Sequence, residues 1–257
     1  MLTSTHKSQF LERGFTRIAG AVDAQDVAEA ATRVWGVLSK SGIRRAHPDT
    51  WRQDKPKGLQ NVAGDASYHR VFGKPASAVL DTLLGAGLWN SPEHWGQLVL
   101  SLPTDTTWVV PHQAWHLDLP MELGNTELPG VQLFVCLEDI SERCGATVVA
   151  AGTHRLVAEE VSANGFPEKR ASAVLRNRLS KKSDWFRQLI GFKDAGERDD
   201  RFLLRPYSEC QVTLQVHELT GNKGDMILMH PYLFHAPAPN IGPAIRMAAT
   251  QRIYASK

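Results

Sequence analysis

Apolar residues early in the chain recur at the spacing of an α-helix. From Val27 to Leu38 they fall every three or four positions, which places them on one face of a helix. Asp23 precedes this stretch as a helix N-cap, and Gly42 follows it as a stop signal. Similar spacing predicts a second, shorter helix over residues 78–84.

From about residue 97 the apolar residues fall instead in short stretches separated by Gly and Pro turns. Seven such stretches are predicted as β-strands, at residues 98–102, 106–110, 131–137, 148–150, 211–216, 226–230 and 245–254. Many short strands joined by turns are typical of a β-sandwich or barrel. We therefore predict a mainly β fold with flanking helices.

Alternation within the stretch 131–137 separates two faces. Gln132, Phe134 and Cys136 share one face because strand side chains alternate with a period of two, and four apolar residues share the other. A polar Gln132 on the first face indicates that this face borders a cavity rather than a dry core.

The organisation along the chain indicates one domain over residues 1–257. We expect N-terminal helices at about 8–90 and a lid-like helical insertion at about 155–210. Within the insertion, residues 169–187 hold seven basic side chains and one acidic side chain. Such a charge run is typical of a solvated helix face, and closure over an anionic substrate is the alternative.

Composition narrows the classes of function. The formal net charge of +2 provides no strong field for nucleic acid, and no apolar run approaches the length of a membrane span. The N-terminal residues lack the apolar core of a signal peptide. Three cysteines without metal-type spacing are typical of reduced thiols in a cytoplasm. We expect a cytoplasmic enzyme with a small-molecule substrate and no nucleic-acid or membrane partner.

Candidate metal ligands lie on both sides of the predicted insertion. His116 and Asp118 are two residues apart, so an extended segment points both side chains to the same side. A histidine from a distant strand completes two histidines and one carboxylate, the ligand set of non-haem Fe(II) oxygenases. His235 and His230 both qualify, and strand alternation does not separate them because Pro231 interrupts the run. The alternative is a chance pair that forms a structural hydrogen bond.

A predicted apolar strand near the C-terminus carries Arg246. Its neighbours on the same face, Ala248 and Thr250, are small enough to leave room for a bound carboxylate. A charged guanidinium in such a strand needs an anionic partner, because an unpaired buried charge is costly. An internal ion pair with Asp or Glu is the alternative, and Arg252 shares the same face as a rival.

The chain resembles the phytanoyl-CoA dioxygenase family of Fe(II)- and 2-oxoglutarate-dependent oxygenases over most of its length. The similar segments are Phe10–Phe15, Trp115–Asp118, Leu137–Ile140, Gly145–Thr147, Ala151–His154 and the series Gly224, Asp225, His235, Asn240 and Arg246. Cys144 and Ala151 depart from the usual Asn and Pro of the family, and both fall on a turn.

The resemblance implies a double-stranded β-helix of the jelly-roll or cupin type and a specific set of roles. It implies that Fe(II) is held by His116, Asp118 and His235, and that Arg246 binds the distal carboxylate of 2-oxoglutarate. His235 is thereby favoured over His230. The implied reaction consumes O2, releases succinate and CO2, and hydroxylates or otherwise oxidises an unactivated C–H bond of a metabolite or natural product.

Further cavity residues follow from position alone. Gln132 is a candidate cosubstrate contact from its face, and Thr147 from its place beside the Gly145 turn. Trp108, Trp115 and Phe134 are candidates for an apolar substrate pocket.

Two other functions fit the same three metal ligands. A zinc hydrolase would use them with a metal-bound water, but Arg246 would then have no role. A catalytically silent barrel that binds a metal or metabolite is the second alternative.

Overall fold

Two antiparallel sheets form the framework of the protein. The computed structural model describes residues 2–52, 56–62, 65–119, 128–191 and 195–256. The strands are β1 (Phe15–Ile18), β2 (Gln97–Ser101), β3 (Gly130–Cys136), β4 (Thr147–Ala151), β5 (Tyr207–Glu209), β6 (Val212–Glu218), β7 (Met226–Met229), β8 (His235–Pro237) and β9 (Arg246–Tyr254). One sheet has the order β1-β7-β3-β9-β2 and the other β5-β6-β4-β8. The predicted mainly β fold is confirmed.

Helices surround the two sheets. They are α1 (Ser4–Arg13), α2 (Ala24–Lys40), α3 (Ala66–Leu84), α4 (Thr153–Asn164), α5 (Ala171–Lys182), α6 (Asp184–Gly191) and α7 (Ala195–Arg198), with short 3-10 helices at Pro48–Arg52 and Leu59–Val62 and a π-helix at Asp199–Leu204. The last four α-helices and the π-helix lie between β4 and β5, where the sequence predicts the helical insertion. No helix in the described ranges is both long and apolar enough to cross a membrane.

The first predicted helix is confirmed as α2. The carboxylate of Asp23 accepts a hydrogen bond from the backbone N–H of Gln25 and caps the helix, and the residues at helical spacing are buried. The second predicted helix is only the C-terminal part of α3. That helix begins twelve residues earlier, after the N-cap Asp65, and continues through Pro75, which sequence rules treat as a break. The sequence did not predict α1, which begins with a capping box between Thr3 and His6.

Six of the seven predicted strands are confirmed with small shifts of their ends, and the strand predicted at 106–110 is wrong. This stretch is irregular because its backbone bonds to side chains instead of to a neighbouring strand. The N–H of Val110 donates to a carboxylate oxygen of Asp199, and its carbonyl accepts from Arg198. The short strands β1, β5 and β8 were not predicted.

Three groups of buried apolar residues hold the layers together. The helix-side core joins α2 and α3 to one face of the five-stranded sheet and includes Val34, Leu38, Phe72, Leu133, Val135 and Met247. The insertion-side core joins the insertion to the four-stranded sheet and includes Trp108, Trp115, Leu117, Leu179, Phe186, Phe202, Val216 and Phe234. The inner core includes Phe134, Cys136, Val149, Met229, Leu233 and Ala248.

The two faces predicted for the stretch 131–137 are confirmed. Leu133 and Val135 pack in the helix-side core, whereas Phe134 and Cys136 pack in the inner core. Arg246 begins β9, and the ladder between β9 and β3 places Arg252 opposite Gln132. The polar side chains of both strands therefore face the space between the two sheets.

Candidate metal centre

Two predicted ligands meet at a single backbone bridge. His116 lies outside the sheets and exchanges hydrogen bonds with His235 at the start of β8, with N···O distances of 2.9 and 3.1 Å. The bridge places the imidazole rings side by side, with 4.3 Å between their centroids. Asp118 completes the group, because its carboxylate oxygens lie 3.6 Å from Nε2 of His116 and 3.5 Å from Nε2 of His235. One ligand atom from each residue lies within 4.8 Å of the other two.

Hydrogen bonds orient both imidazole rings toward this point. Nδ1 of His116 lies 2.7 Å from the carbonyl oxygen of Ala114, and Nδ1 of His235 lies 3.1 Å from that of Leu233. A carbonyl only accepts, so each Nδ1 carries the hydrogen and each Nε2 presents its lone pair toward Asp118. Burial, followed by the neighbouring His235, lowers the pKa of His116 and favours its neutral form. Neutral imidazoles fixed in this way are typical of metal-ligating histidines.

Asp118 is held by side chains from the five-stranded sheet. Gln132 donates from Nε2 to Oδ2 over 3.2 Å, and the guanidinium of Arg252 lies 3.5 Å from Oδ1. The hydroxyl of Tyr254 donates to the backbone carbonyl of Asp118 over 3.1 Å. Burial by itself raises the pKa of Asp118, but the contact with His235 and the charge of Arg252 outweigh burial and hold this pKa well below its usual range. Asp118 is therefore an ionised carboxylate at neutral pH.

These side chains line one cavity of about 340 Å³ between the sheets. Its other walls come from β2, β3, β4, β8 and β9, and include Gln97, Val99, Ser101, Phe134, Thr147, Ala236, Ala238, Arg246 and Thr250. The cavity thus brings the candidate metal ligands and a buried guanidinium together.

Arg246 lacks the partner that a buried charge requires. It is 4% exposed, and its guanidinium donates to the hydroxyl of Thr147 over 3.2 Å. Its Nε has no hydrogen-bond partner, and no carboxylate in the described ranges lies within 4.0 Å of the guanidinium. Burial lowers the pKa of Arg246 to about 10, so the group is still a cation at neutral pH. The cavity is therefore suited to an anion that comes from outside the protein.

Arg252 differs from Arg246 both in its burial and in its pairing with a carboxylate. Its side chain is 36% exposed and pairs with Asp118. It also donates to Oε1 of Gln97 over 2.9 Å. The two arginines that the sequence could not separate are therefore distinct, because only Arg246 combines full burial with the lack of a carboxylate partner among the described residues.

The remaining predicted residues fall into two groups. Gln132, Thr147 and Phe134 line the cavity, and Oε1 of Gln132 has no hydrogen-bond partner there. Trp108 and Trp115 are buried in the insertion-side core, so the structure does not bring them to the cavity wall. Apolar composition cannot distinguish a core tryptophan from one that contacts a ligand.

His230 occupies a different place from His235. It is buried beside Phe10, His154 and Tyr232, with ring centroids 5.1–5.9 Å away, and its Nδ1 accepts the backbone N–H of Tyr232. It does not line the cavity. His154, in the same cluster, lies with Nε2 3.0 Å from the carbonyl oxygen of Leu11 in α1, so it connects the N-terminal helix to the sheets.

Sequence reasoning missed Tyr254 and Gln97. Tyr254 has the same parity as Arg246 on β9, so strand alternation contained a signal for it. Gln97 precedes the predicted start of its strand, and its contact with Arg252 depends on a pairing between β2 and β9 that spans 155 residues.

Solved structures with the same fold share little sequence with this chain. SnoN, described as an epimerase in complex with Fe3+, alpha ketoglutarate and nogalamycin RO, is 14% identical with a TM-score of 0.55, over 98% of this chain and 82% of its own. HygX from Streptomyces hygroscopicus, solved with nickel and 2-oxoglutarate bound, is 16% identical with a TM-score of 0.51, over 100% of this chain and 88% of its own. The carbocyclase SnoK from nogalamycin biosynthesis is 17% identical with a TM-score of 0.56, over 99% of this chain and 84% of its own. These likenesses confirm the predicted double-stranded β-helix.

The sequence itself matches one family. No curated protein sequence matches the chain. Residues 10–248, however, match the family described as phytanoyl-CoA dioxygenase (PhyH). This match covers most of the chain, including all the segments on which the resemblance depends. The chain therefore belongs to the phytanoyl-CoA dioxygenase (PhyH) family and is a non-haem Fe(II)- and 2-oxoglutarate-dependent oxygenase.

Proposed function

We propose that His116, Asp118 and His235 hold the ferrous ion and that Arg246 binds the distal carboxylate of 2-oxoglutarate. The observation that supports this assignment is the combination within one cavity of three convergent ligands and a buried guanidinium without a carboxylate partner in the described ranges. An arginine that binds an external dicarboxylate cannot already be neutralised by a carboxylate of the protein, and Arg246 meets this requirement among the described residues.

The ligand set fits iron chemically. Two neutral imidazoles and one carboxylate form a three-ligand set that leaves positions open, as non-haem Fe(II) oxygenases require. The bound iron and 2-oxoglutarate supply the oxidising chemistry: one C–H bond gains an oxygen atom from O2, and 2-oxoglutarate is converted to succinate and CO2. The protein contributes the orientation of both imidazoles and the ionised state of Asp118.

Arg246 and Thr147 form the proposed cosubstrate anchor. The guanidinium has a free Nε and a planar set of donors that match a carboxylate, and the hydroxyl of Thr147 lies 3.2 Å from it. Gln132 is the further candidate contact, because its amide oxygen has no partner in the structure and its amide nitrogen already holds Asp118. A zinc hydrolase would leave this anchor without a ligand, so the oxygenase is the better account of the cavity.

We propose a small molecule as the substrate and the cytoplasm as the site of action. A cavity of about 340 Å³ that is shared with the cosubstrate suits a small compound, with Phe134 in its wall. SnoN and SnoK, which share the fold, are described as enzymes of nogalamycin biosynthesis, which supports a metabolite or natural product. The three cysteines are free thiols, which is compatible with a reducing compartment.

Anaerobic spectroscopy of the purified protein tests the assignment. Addition of Fe(II) and 2-oxoglutarate together should produce a weak visible charge-transfer band that neither produces alone. Oxygen should then bleach the band and release succinate, even without a substrate. A folded protein that binds Zn(II) but shows no band, and no 2-oxoglutarate binding, would rule out the proposal and favour the hydrolase.

A further inference from the structure

The segment that carries two of the three proposed ligands has little backbone pairing with the sheets, which otherwise reach it through side chains at Asp118. Among the described residues, the stretch 106–119 makes one backbone bridge to a strand, between His116 and His235. Metal ligands must nevertheless be held to within about 0.5 Å of their working geometry. Some other element therefore has to fix the backbone of this stretch.

One support comes from the end of the insertion. Arg198 is fully buried and donates from Nε to the carbonyl of Val110 over 2.6 Å, and from Nη2 to the carbonyl of Pro111 over 2.5 Å. The same Nη2 also donates to the carbonyl of Leu189 at the end of α6, which ties the stretch to the insertion. The next residue, Asp199, accepts the N–H of Val110 over 3.0 Å. Both backbone groups of Val110 are thus satisfied by the insertion.

A second support reaches the stretch between the two ligands. The N–H of Leu117 donates to the hydroxyl of Ser172, at the start of α5, over 2.8 Å. Arg176, one turn further along α5, donates to the carbonyl of Trp115 over 3.4 Å. The side chain of Leu117 is buried in the insertion-side core, so the hydrogen bond and the packing act on the same residue.

We propose that the helical insertion positions the His116–Asp118 segment, with Ser172 and Arg198 as positioning residues for the metal centre. This inference rests on the proposed function. Leu117 lies between His116 and Asp118 in the chain. The hydrogen bond from its N–H to Ser172 therefore holds the backbone from which both proposed ligand side chains project. Arg198 and Asp199 fix the preceding stretch at Val110 and Pro111. The insertion thereby contributes to metal affinity without contributing a ligand.

Substitution of Ser172 separates positioning from folding. Ser172→Ala removes the acceptor for the N–H of Leu117 and does not weaken α5, because alanine is the better helix former. Ser172→Thr retains the hydroxyl. Ser180→Ala is the matched control, because Ser180 lies on the same helix and its hydroxyl, among the described residues, bonds within that helix to the carbonyl of Asn177.

Two measurements on metal-free protein test the inference. Titration with Co(II) should give a dissociation constant about tenfold higher for Ser172→Ala than for wild type, near the lower end of the effects seen for groups that support metal ligands. Hydrogen exchange at the amide of Leu117 should accelerate in the same variant. Ser172→Thr should restore both values, and Ser180→Ala should change neither.

The outcomes distinguish this inference from the proposed function. Co(II) affinity and Leu117 exchange that are the same in Ser172→Ala and wild type would overturn the positioning role, while loss of Co(II) binding in His116→Ala would still support the metal site. Equal losses of affinity in Ser172→Ala and Ser180→Ala would show that the effect comes from the stability of α5, and would also overturn the positioning role. A wild-type protein that does not bind Co(II) would overturn both proposals.

Discussion

The two sides of the cavity hold their residues by different means. On the sheet side, His235 and Arg246 begin strands β8 and β9 and are only 4% exposed. On the segment side, His116 and Asp118 belong to no strand, and their side chains are 43% and 26% exposed. The sheet side is fixed by ladders of backbone hydrogen bonds, whereas the segment side depends on individual side chains that reach it from other elements.

This difference in support determines how each side of the cavity should respond to substitution. A residue in a ladder moves only if several backbone hydrogen bonds break together, so the sheet side gives a constant frame for the proposed metal ligand His235 and the proposed cosubstrate anchor Arg246. A segment held by single contacts from Ser172, Arg198, Gln132 and Tyr254 responds to each of them. Substitutions on the sheet side should therefore have large, simple effects, and those on the segment side smaller, graded ones.

The largest effect is expected from the sheet-side histidine. His235→Ala removes a proposed ligand and should raise the Co(II) dissociation constant by more than about 100-fold, beyond the range for supporting groups. His230→Asn, which retains an acceptor for the N–H of Tyr232, should change it less than about twofold because His230 lies outside the cavity. Isothermal titration of the metal-free proteins measures both. The opposite pattern would transfer the ligand role to His230.

The two arginines provide the next test of the comparison. Arg246→Met should raise the 2-oxoglutarate dissociation constant by about 100-fold, because a charge-assisted bond to a buried group contributes about 1.5–3 kcal/mol. Binding of Co(II) should change little. Arg252→Met, which removes a contact to the segment side at Asp118, should leave 2-oxoglutarate binding within a few-fold of wild type. Competition against the charge-transfer band reports the affinity, and equal loss of metal and cosubstrate in Arg246→Met would indicate a structural arginine instead.

Acid should weaken the fold through His154, which connects the N-terminal helix to the sheets. Burial lowers the pKa of His154 to about 4, against about 6.5 in an unfolded chain. The stabilisation from its neutral form is therefore complete above pH 6.5 and is lost as the pH falls toward 4. Between pH 7.5 and 5 this residue should remove about 2 kcal/mol from the free energy of unfolding, as measured by urea titration of the metal-free protein.

His154→Gln isolates this contribution, because glutamine retains a donor for the carbonyl of Leu11 but does not titrate. The variant should keep part of the acid sensitivity, since burial also lowers the pKa of His217 to about 4. A pH dependence identical to that of wild type would show that His154 does not control the acid response.

The smallest effect is expected from Tyr254, which reaches the segment side from β9. Burial raises the pKa of Tyr254 to about 12, so its hydroxyl remains a donor to the carbonyl of Asp118 at ordinary pH. Tyr254→Phe should weaken Co(II) binding about threefold, the loss of one hydrogen bond of modest strength. Tyr207→Phe is the control, because Tyr207 is exposed. Metal affinity that is unchanged in Tyr254→Phe would show that the other contacts of Asp118, from Gln132 and Arg252, suffice to place it.

The sequence predicted those features that depend on local periodicity. Helical spacing located α2, and alternation located six strands and separated the two faces of β3. The prediction of a strand at residues 106–110 failed because the pattern of apolar side chains does not show which groups bond the backbone. Val110 satisfies its N–H and carbonyl with Asp199 and Arg198, which lie nearly ninety residues away.

The candidate site was likewise predictable only where local spacing in the sequence determines it. Spacing alone predicted that His116 and Asp118 point to one side, and the structure brings them together with His235. It did not separate His235 from His230, because β7 ends at Met229 and β8 begins at His235, so no continuous strand relates them. Ser172 left no signal, since a serine in a basic helix is unremarkable until Leu117 is placed beside it.

The ion pair between Arg252 and Asp118 gives this carboxylate a counter-ion supplied by the chain itself. The chain itself thus supplies positive charge beside Asp118, whether or not a metal ion is bound. A ferrous ion at the proposed site would share this carboxylate with the guanidinium of Arg252.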